Sequence, residues 1–193
     1  MKSRSKSVRE NAIVPGSLSA MANQSNQSLA ETFLSADIVV IVDTSGSMGS
    51  HDAGDGMTRY DKACDELALL QGRNQGKVAV IGFSNVSMFY PGGKPSFMGA
   101  GTRMDDALAY AKVADVDEMA FFLISDGEPS SRVDALNVAS QYKNKINTIY
   151  VGPEGGEGQK FLAQLAEASG GVFATAEKVR ELASTVETML LEG

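Results

Sequence analysis

Cysteine and histidine are nearly absent from this chain, whose 193 residues include one of each. A single Cys forms no internal disulfide, and one Cys with one His falls short of a structural zinc or iron–sulfur ligand set. Any metal held here is therefore bound mainly by oxygen. No apolar run approaches the roughly 20 residues needed to span a bilayer. The N-terminus, though basic, lacks the apolar stretch of a secretory signal. The expectation is a cytoplasmic protein without a membrane span. Positive charge is scarce too, outside the first ten residues. Lys2, Arg4, Lys6 and Arg9 oppose Glu10 there, while the remaining 183 residues carry a formal charge of −10. Nucleic-acid affinity rests largely on clustered Lys and Arg, so nucleic acid is not the expected partner.

What is present is one domain's worth of alternating pattern, long enough to bury a sizeable core. Residues 1–34 are rich in Ser, Asn and Gln, contain Pro15 and Gly16, and show no sustained periodicity. They read as a flexible, basic and polar N-terminal tail, with the domain proper over 35–193. From residue 36 onward, β-branched runs at 36–43, 77–83, 119–125 and 146–151, with a weaker one at 171–175, read as strands buried on both faces. The run 86–90 follows its predecessor too closely for a helical crossover and reads as an antiparallel edge strand. Helical stripes fill the gaps: Ala63, Cys64, Leu67 and Leu70; Met104, Ala107, Leu108 and Ala111; Val133, Leu136 and Ala139; Phe161, Leu162, Leu165 and Ala166; and a long one from 179 to 190. The predicted fold is α/β: a doubly wound, Rossmann-like, mostly parallel six-stranded sheet with one antiparallel edge strand and helices on both faces.

In such sheets ligands bind beyond the carboxyl ends of the strands, and the unusual residues lie there. The first run ends in Asp43-Thr-Ser45-Gly-Ser47, the run 119–125 leads into Asp126-Gly127, and Gly101-Thr102 precedes a helical stripe. If the first and fourth strands are central neighbours, Asp43 and Asp126 lie about 5 Å apart. Two carboxylates that close repel unless a cation or a proton sits between them. Hydroxyl and carboxylate oxygens suit Mg²⁺, with Mn²⁺ as a second fit.

The order D-x-S-x-S, then Thr, then Asp closely resembles the metal-ion-dependent adhesion site of the von Willebrand factor A family, also met in integrin I domains. Asp43, Ser45, Ser47, Thr102 and Asp126 fill all five positions. The resemblance spans about residues 36–192. It implies that Ser45 and Ser47 bind the metal directly, Thr102 directly or through water, and Asp43 and Asp126 largely through water. A first shell of neutral hydroxyls and water leaves the dication under-compensated, ready to capture a Glu or Asp of a partner protein. The resemblance also implies a switch coupled to the C-terminal helix. Intracellular members of the family work beside an AAA+ ATPase or within multiprotein assemblies, which is the kind of partner expected here.

Blander readings exist for each piece. Ser47 can simply cap a helix, Thr102-Arg-Met-Asp105 fits a capping-box variant, and Asp126-Gly127 makes an ordinary turn. Glu128, Asp105 and Asp106 read as rim or helix-start residues. Cys64 reads as a buried small hydrophobe. The Gly- and Asp-rich loop 49–58 faces the metal end, but Asp52-Ala-Gly-Asp55 lacks the spacing of an EF-hand. Phe97 and Met98 offer an apolar lip or pack under the edge. The protein is not expected to be an enzyme. A serine hydrolase built on Ser47, Asp126 and His51 lacks the G-x-S-x-G elbow. A Mg²⁺-dependent phosphatase with Asp43 as nucleophile is the better enzyme alternative, although its expected second Asp is Ser45.

Overall fold

Strand β1 (Ile38–Asp43) is apolar up to its final Asp, and all six residues are buried, as a strand covered on both faces requires. The computed structural model of the chain describes residues 13–53 and 56–175. Ahead of β1 stand α1 (Leu18–Ser25) and α2 (Leu29–Leu34). After it come a 3₁₀ turn (Gly46–Gly49), α3 (Arg59–Arg73), β2 (Val78–Phe83), β3 (Ser87–Phe89), α4 (Met104–Ala111), β4 (Ala120–Ser125), α5 (Arg132–Ala139), β5 (Ile146–Tyr150), α6 (Glu157–Ser169) and β6 (Phe173–Thr175). The six strands form one sheet in the order β3-β2-β1-β4-β5-β6. Only β3 runs antiparallel to its neighbour. This is the doubly wound sheet with an antiparallel edge that the sequence pattern predicts.

Alternation along β1 divides the core into two layers. Val39 and Ile41 join Met104, Leu108, Phe121, Phe161 and Leu165 on the face covered by α4, α5 and α6. Val40 and Val42 join Met48, Ala63, Leu67, Leu70 and Ile124 on the face carrying α3. With strand order reversing between β1 and β4, the carboxyl ends of these two central strands open onto one crevice, the position where this class of sheet holds ligands.

Residues 13–34 differ from the tail expected there. Ser17 caps α1, accepting from the Ala20 N–H, and Ser28 with Glu31 forms a full capping box on α2. Leu18 is buried in the α4 layer. The Val14 and Ser19 N–H groups donate to the carbonyls of Gly92 and Pro91, and the Gly16 carbonyl accepts from Gly76. Two short helices of largely polar sequence carry little periodicity, which is why composition reads them as tail. Residues 1–12 and the helix expected over 179–190 lie outside the described residues.

Candidate functional site

In the β1–β4 register Val42 pairs with Ile124, so Asp43 stands level with Ser125 and Asp126 lies one residue beyond. Ser125 Oγ donates to Asp43 Oδ2 at 2.6 Å and accepts from the Gly127 N–H at 2.9 Å. Asp43 Oδ1 accepts from the Ser45 N–H at 2.8 Å. Asp43 is fully buried. Burial pushes its carboxyl up from 3.8 to about 6, against the pull of the Ser125 and Ser45 hydrogen bonds, and the nearby Asp126 charge pushes the same way as burial. The pair of strand-end carboxylates expected from sequence is thus electrostatically coupled, with Ser125 bridging the two strands.

Helix capping does not consume the Ser45 and Ser47 hydroxyls. Ser45 Oγ and Ser47 Oγ lie 3.3 Å apart. Ser45 precedes the 3₁₀ turn without a side-chain cap bond, and the cap of α3 is Thr58, well downstream of Ser47. The residue preceding α4 is Arg103, again without a side-chain cap bond, so Thr102 does not serve the capping box its sequence allows. Backbone bonds fasten the Thr102 segment to the turn after β1. Gly46 N–H donates to the Ala100 carbonyl at 2.9 Å, and Met98 and Gly99 N–H both donate to the Thr44 carbonyl. The Thr102 carbonyl accepts from Ser130 N–H at 2.9 Å, and Arg103 N–H donates to the Ser84 carbonyl at 2.8 Å.

Asp126 is buried, with 2% of its surface exposed. Its Oδ2 accepts from Arg59 Nη1 at 2.9 Å, while its Oδ1 is buried without a hydrogen-bond partner among the described residues. A buried carboxylate oxygen left unpaired is costly, and it marks the place where a cation or a bound water would be welcome. Arg59 is itself largely covered and grips Asp52 through Nε and Nη2 at 2.7 and 2.6 Å. Behind the turn, Gly127 and Gly158 meet back to back: a Cβ on Gly158 would fall 1.9 Å from the Asp126 carbonyl oxygen. Only a residue without a side chain lets the first turn of α6 approach so closely.

Among the described residues no group of three or more His, Cys, Asp or Glu side chains is arranged to hold a metal. The residues at and just beyond the ends of β1 and β4 include two carboxylates, Asp43 and Asp126, and the Ser45 and Ser47 hydroxyls, with Thr102 on a segment joined to the turn after β1 by backbone bonds; oxygens of this kind suit a hard cation such as Mg²⁺. Sequence reasoning missed Ser125, Arg59 and Gly158. Arg59 did leave a signal: a cation in the first turn of a helix opposes the helix dipole, so its position there calls for acidic partners.

The bland expectations hold for Asp105, Asp106 and Cys64, and not for Phe97, which is exposed beside the turn after β1. Asp105 and Asp106 sit in the first turn of α4 and pair with Arg103. Cys64 is buried on α3. Phe97 is 45% exposed and leans on Tyr60 at 5.3 Å between ring centroids, near the 3₁₀ turn. His51 is exposed, and Asp55 lies outside the described residues. No helix among the described residues is long and apolar enough to cross a membrane.

No protein-family model and no curated protein matches the sequence. Solved structures do. An aerotolerance-related membrane protein from Bacteroides fragilis NCTC 9343, in a form with multiple mutations to serines, superposes with a TM-score of 0.64 at 16% identity, over 82% of this chain and 100% of that one. A von Willebrand factor type A protein from Catenulispora acidiphila superposes with a TM-score of 0.55 at 19% identity, over 81% of this chain but only 42% of the other. At such low identity the likeness speaks for architecture, and with the strand order and the antiparallel edge it leads to one conclusion: this chain has the Rossmann-like fold of a von Willebrand factor type A domain.

Proposed function

We propose that this protein is a divalent-cation-dependent binding module, in which Asp43, Ser45, Ser47, Thr102 and Asp126 hold Mg²⁺, or Mn²⁺ in its place, and an acidic side chain of a partner protein completes the site. The observation that carries this reading is the buried, unpartnered Oδ1 of Asp126, on a residue whose charge acts on Asp43 at the end of the neighbouring strand. When bound, the cation supplies a Lewis-acidic position that favours a carboxylate ligand. Ser45 and Ser47 bring neutral oxygens to it, and Asp43, tied by Ser125 and the Ser45 amide, fixes the turn that presents them. Because the hydroxyls contribute no charge, the attraction for an incoming Glu or Asp stays strong. The partner belongs to an intracellular multiprotein assembly, with an AAA+ ATPase as the leading candidate class. That assignment rests on the resemblance of the motif and on the acidic, disulfide-free composition.

A phosphatase using Asp43 as nucleophile is less well supported, since both of its oxygens already accept hydrogen bonds and the residue is fully buried. The test is a thermal-shift titration with Mg²⁺. At an ion concentration a hundredfold above Kd, linkage stabilises the folded state by about 2.7 kcal/mol, which is about 5 to 11 °C for a chain of this size. Asp126→Ala is expected to remove that rise. An undiminished rise in the variant refutes the site. Pull-down of a partner with Mg²⁺ that fails with a chelator tests the binding function, and phosphate release from aryl phosphates lost in Asp43→Asn would favour the enzyme instead.

A further inference from the structure

We infer that Arg59 is a built-in cation of this site, and that the chain Asp52–Arg59–Asp126 sets how tightly the site holds a divalent ion. The inference rests on the metal-binding reading above and goes beyond it by naming residues outside the five-residue motif. Arg59 opens α3, where the helix N-terminus already carries partial positive charge, so the helix does not account for it. Its side chain is only 12% exposed, and its guanidinium donates to two carboxylates. Nη1 holds Asp126 Oδ2 at 2.9 Å, and Nε and Nη2 hold both oxygens of Asp52.

Two consequences follow from that geometry. Asp126 is clamped through Oδ2, so only Oδ1, the buried and unpartnered atom, is left for a ligand. The fixed positive charge of Arg59 also opposes a dication nearby. Asp52 works the other way. Seated on the loop between the 3₁₀ turn and α3 and 40% exposed at its side chain, it shares the guanidinium and relieves Asp126 of part of its pull. Arg59 therefore lowers affinity for the ion, Asp52 restores some of it, and whatever displaces Asp52 from Arg59 weakens metal binding at the strand ends.

The test is calorimetric titration of the full chain with Mg²⁺ alone, on the wild type, Arg59→Gln, Asp52→Asn and the double variant, alongside thermal melts in chelator. Arg59→Gln is expected to tighten Mg²⁺ binding at least about tenfold, because like charge near the ion is removed, while lowering the melting temperature of the metal-free protein. Asp52→Asn is expected to weaken binding about threefold or more, and to have a smaller effect when Arg59 is already Gln. Opposite signs in the two single variants, with the Asp52 effect diminished once Arg59 is Gln, are not produced by general loosening of the fold. Unchanged or weaker binding in Arg59→Gln overturns the inference and leaves the proposed function standing. Binding that appears only in Arg59→Gln supports the inference and overturns the proposed function for the native chain. No binding in any variant overturns both. If Arg59→Gln does not fold, Asp52→Asn decides alone: unchanged affinity there overturns the inference.

Discussion

Replacing Asp43 by Asn removes a charge that the metal-free fold holds at a cost. Burial raises this carboxyl from 3.8 to about 6. Between those values the folded protein keeps a proton that the unfolded chain has released, so stability is greatest below pH 3.8, falls as pH rises toward 6, and is level above it. The difference of about two pH units amounts to about 3 kcal/mol lost at pH 8. Asn keeps the size and can still accept from the Ser45 N–H, but it exchanges the charge-assisted bond from Ser125 Oγ for a weaker contact, at a cost of about 1 to 2 kcal/mol. The D43N variant is therefore expected to be more stable than the wild type by about 1 to 2 kcal/mol in chelator at pH 8. That is a rise in melting temperature of about 2 to 8 °C. It should also lose the wild type's fall in stability between pH 4 and 6. With saturating Mg²⁺ the order should reverse. Thermal and urea melts at pH 5 and pH 8, each with chelator and with Mg²⁺, read all four corners. A D43N protein that is less stable than the wild type in chelator at pH 8, with the same dependence on pH, refutes the reasoning.

Other substitutions probe the supports of the site. Ser125→Ala removes the donor that holds the Asp43 charge, so it should raise that carboxyl further and cost about 1 to 3 kcal/mol at pH 8, with a smaller loss at pH 5 in urea melts. Gly158→Ala drives a methyl to 1.9 Å from the Asp126 carbonyl. Because backbone lies on both sides of the contact, the expected loss is about 2 to 3 kcal/mol, accompanied by weaker Mg²⁺ binding in calorimetry. Leu18→Ala empties a position that is 1% exposed and should cost about 2 to 5 kcal/mol. A change below about 0.5 kcal/mol would return residues 13–34 to the status of a tail.

The sheet was legible because its central strands are nearly unbroken apolar runs and its crossovers carry clear stripes, as at Ala63, Leu67 and Leu70. The strand ends were legible because residues of unusual type stand together where such a sheet opens. Less was visible wherever the determinant is a long-range approach. Ser125 reads as a strand residue until the register sets it beside Asp43. Gly158 reads as a poor helix residue until α6 meets the Asp126 turn. Asp52 reads as loop acidity until Arg59 turns to it across seven positions. The two helices within residues 13–34 were illegible for a different reason. Its two helices have eight and six residues and are held by caps and by partners far along the chain, leaving little hydrophobic pattern of their own.

That last arrangement has a bearing on how the molecule is made. Val14, Gly16 and Ser19 bond to groups at positions 92, 76 and 91, so the earliest described part of the chain to be synthesised cannot settle until β2 and the turn after β3 have emerged. At about 5 to 20 residues per second that is a wait of about 4 to 15 s, during which Leu18 has no core to enter. Until then this N-terminal strap stays open to chaperones, and its docking follows the emergence of β2 and β3.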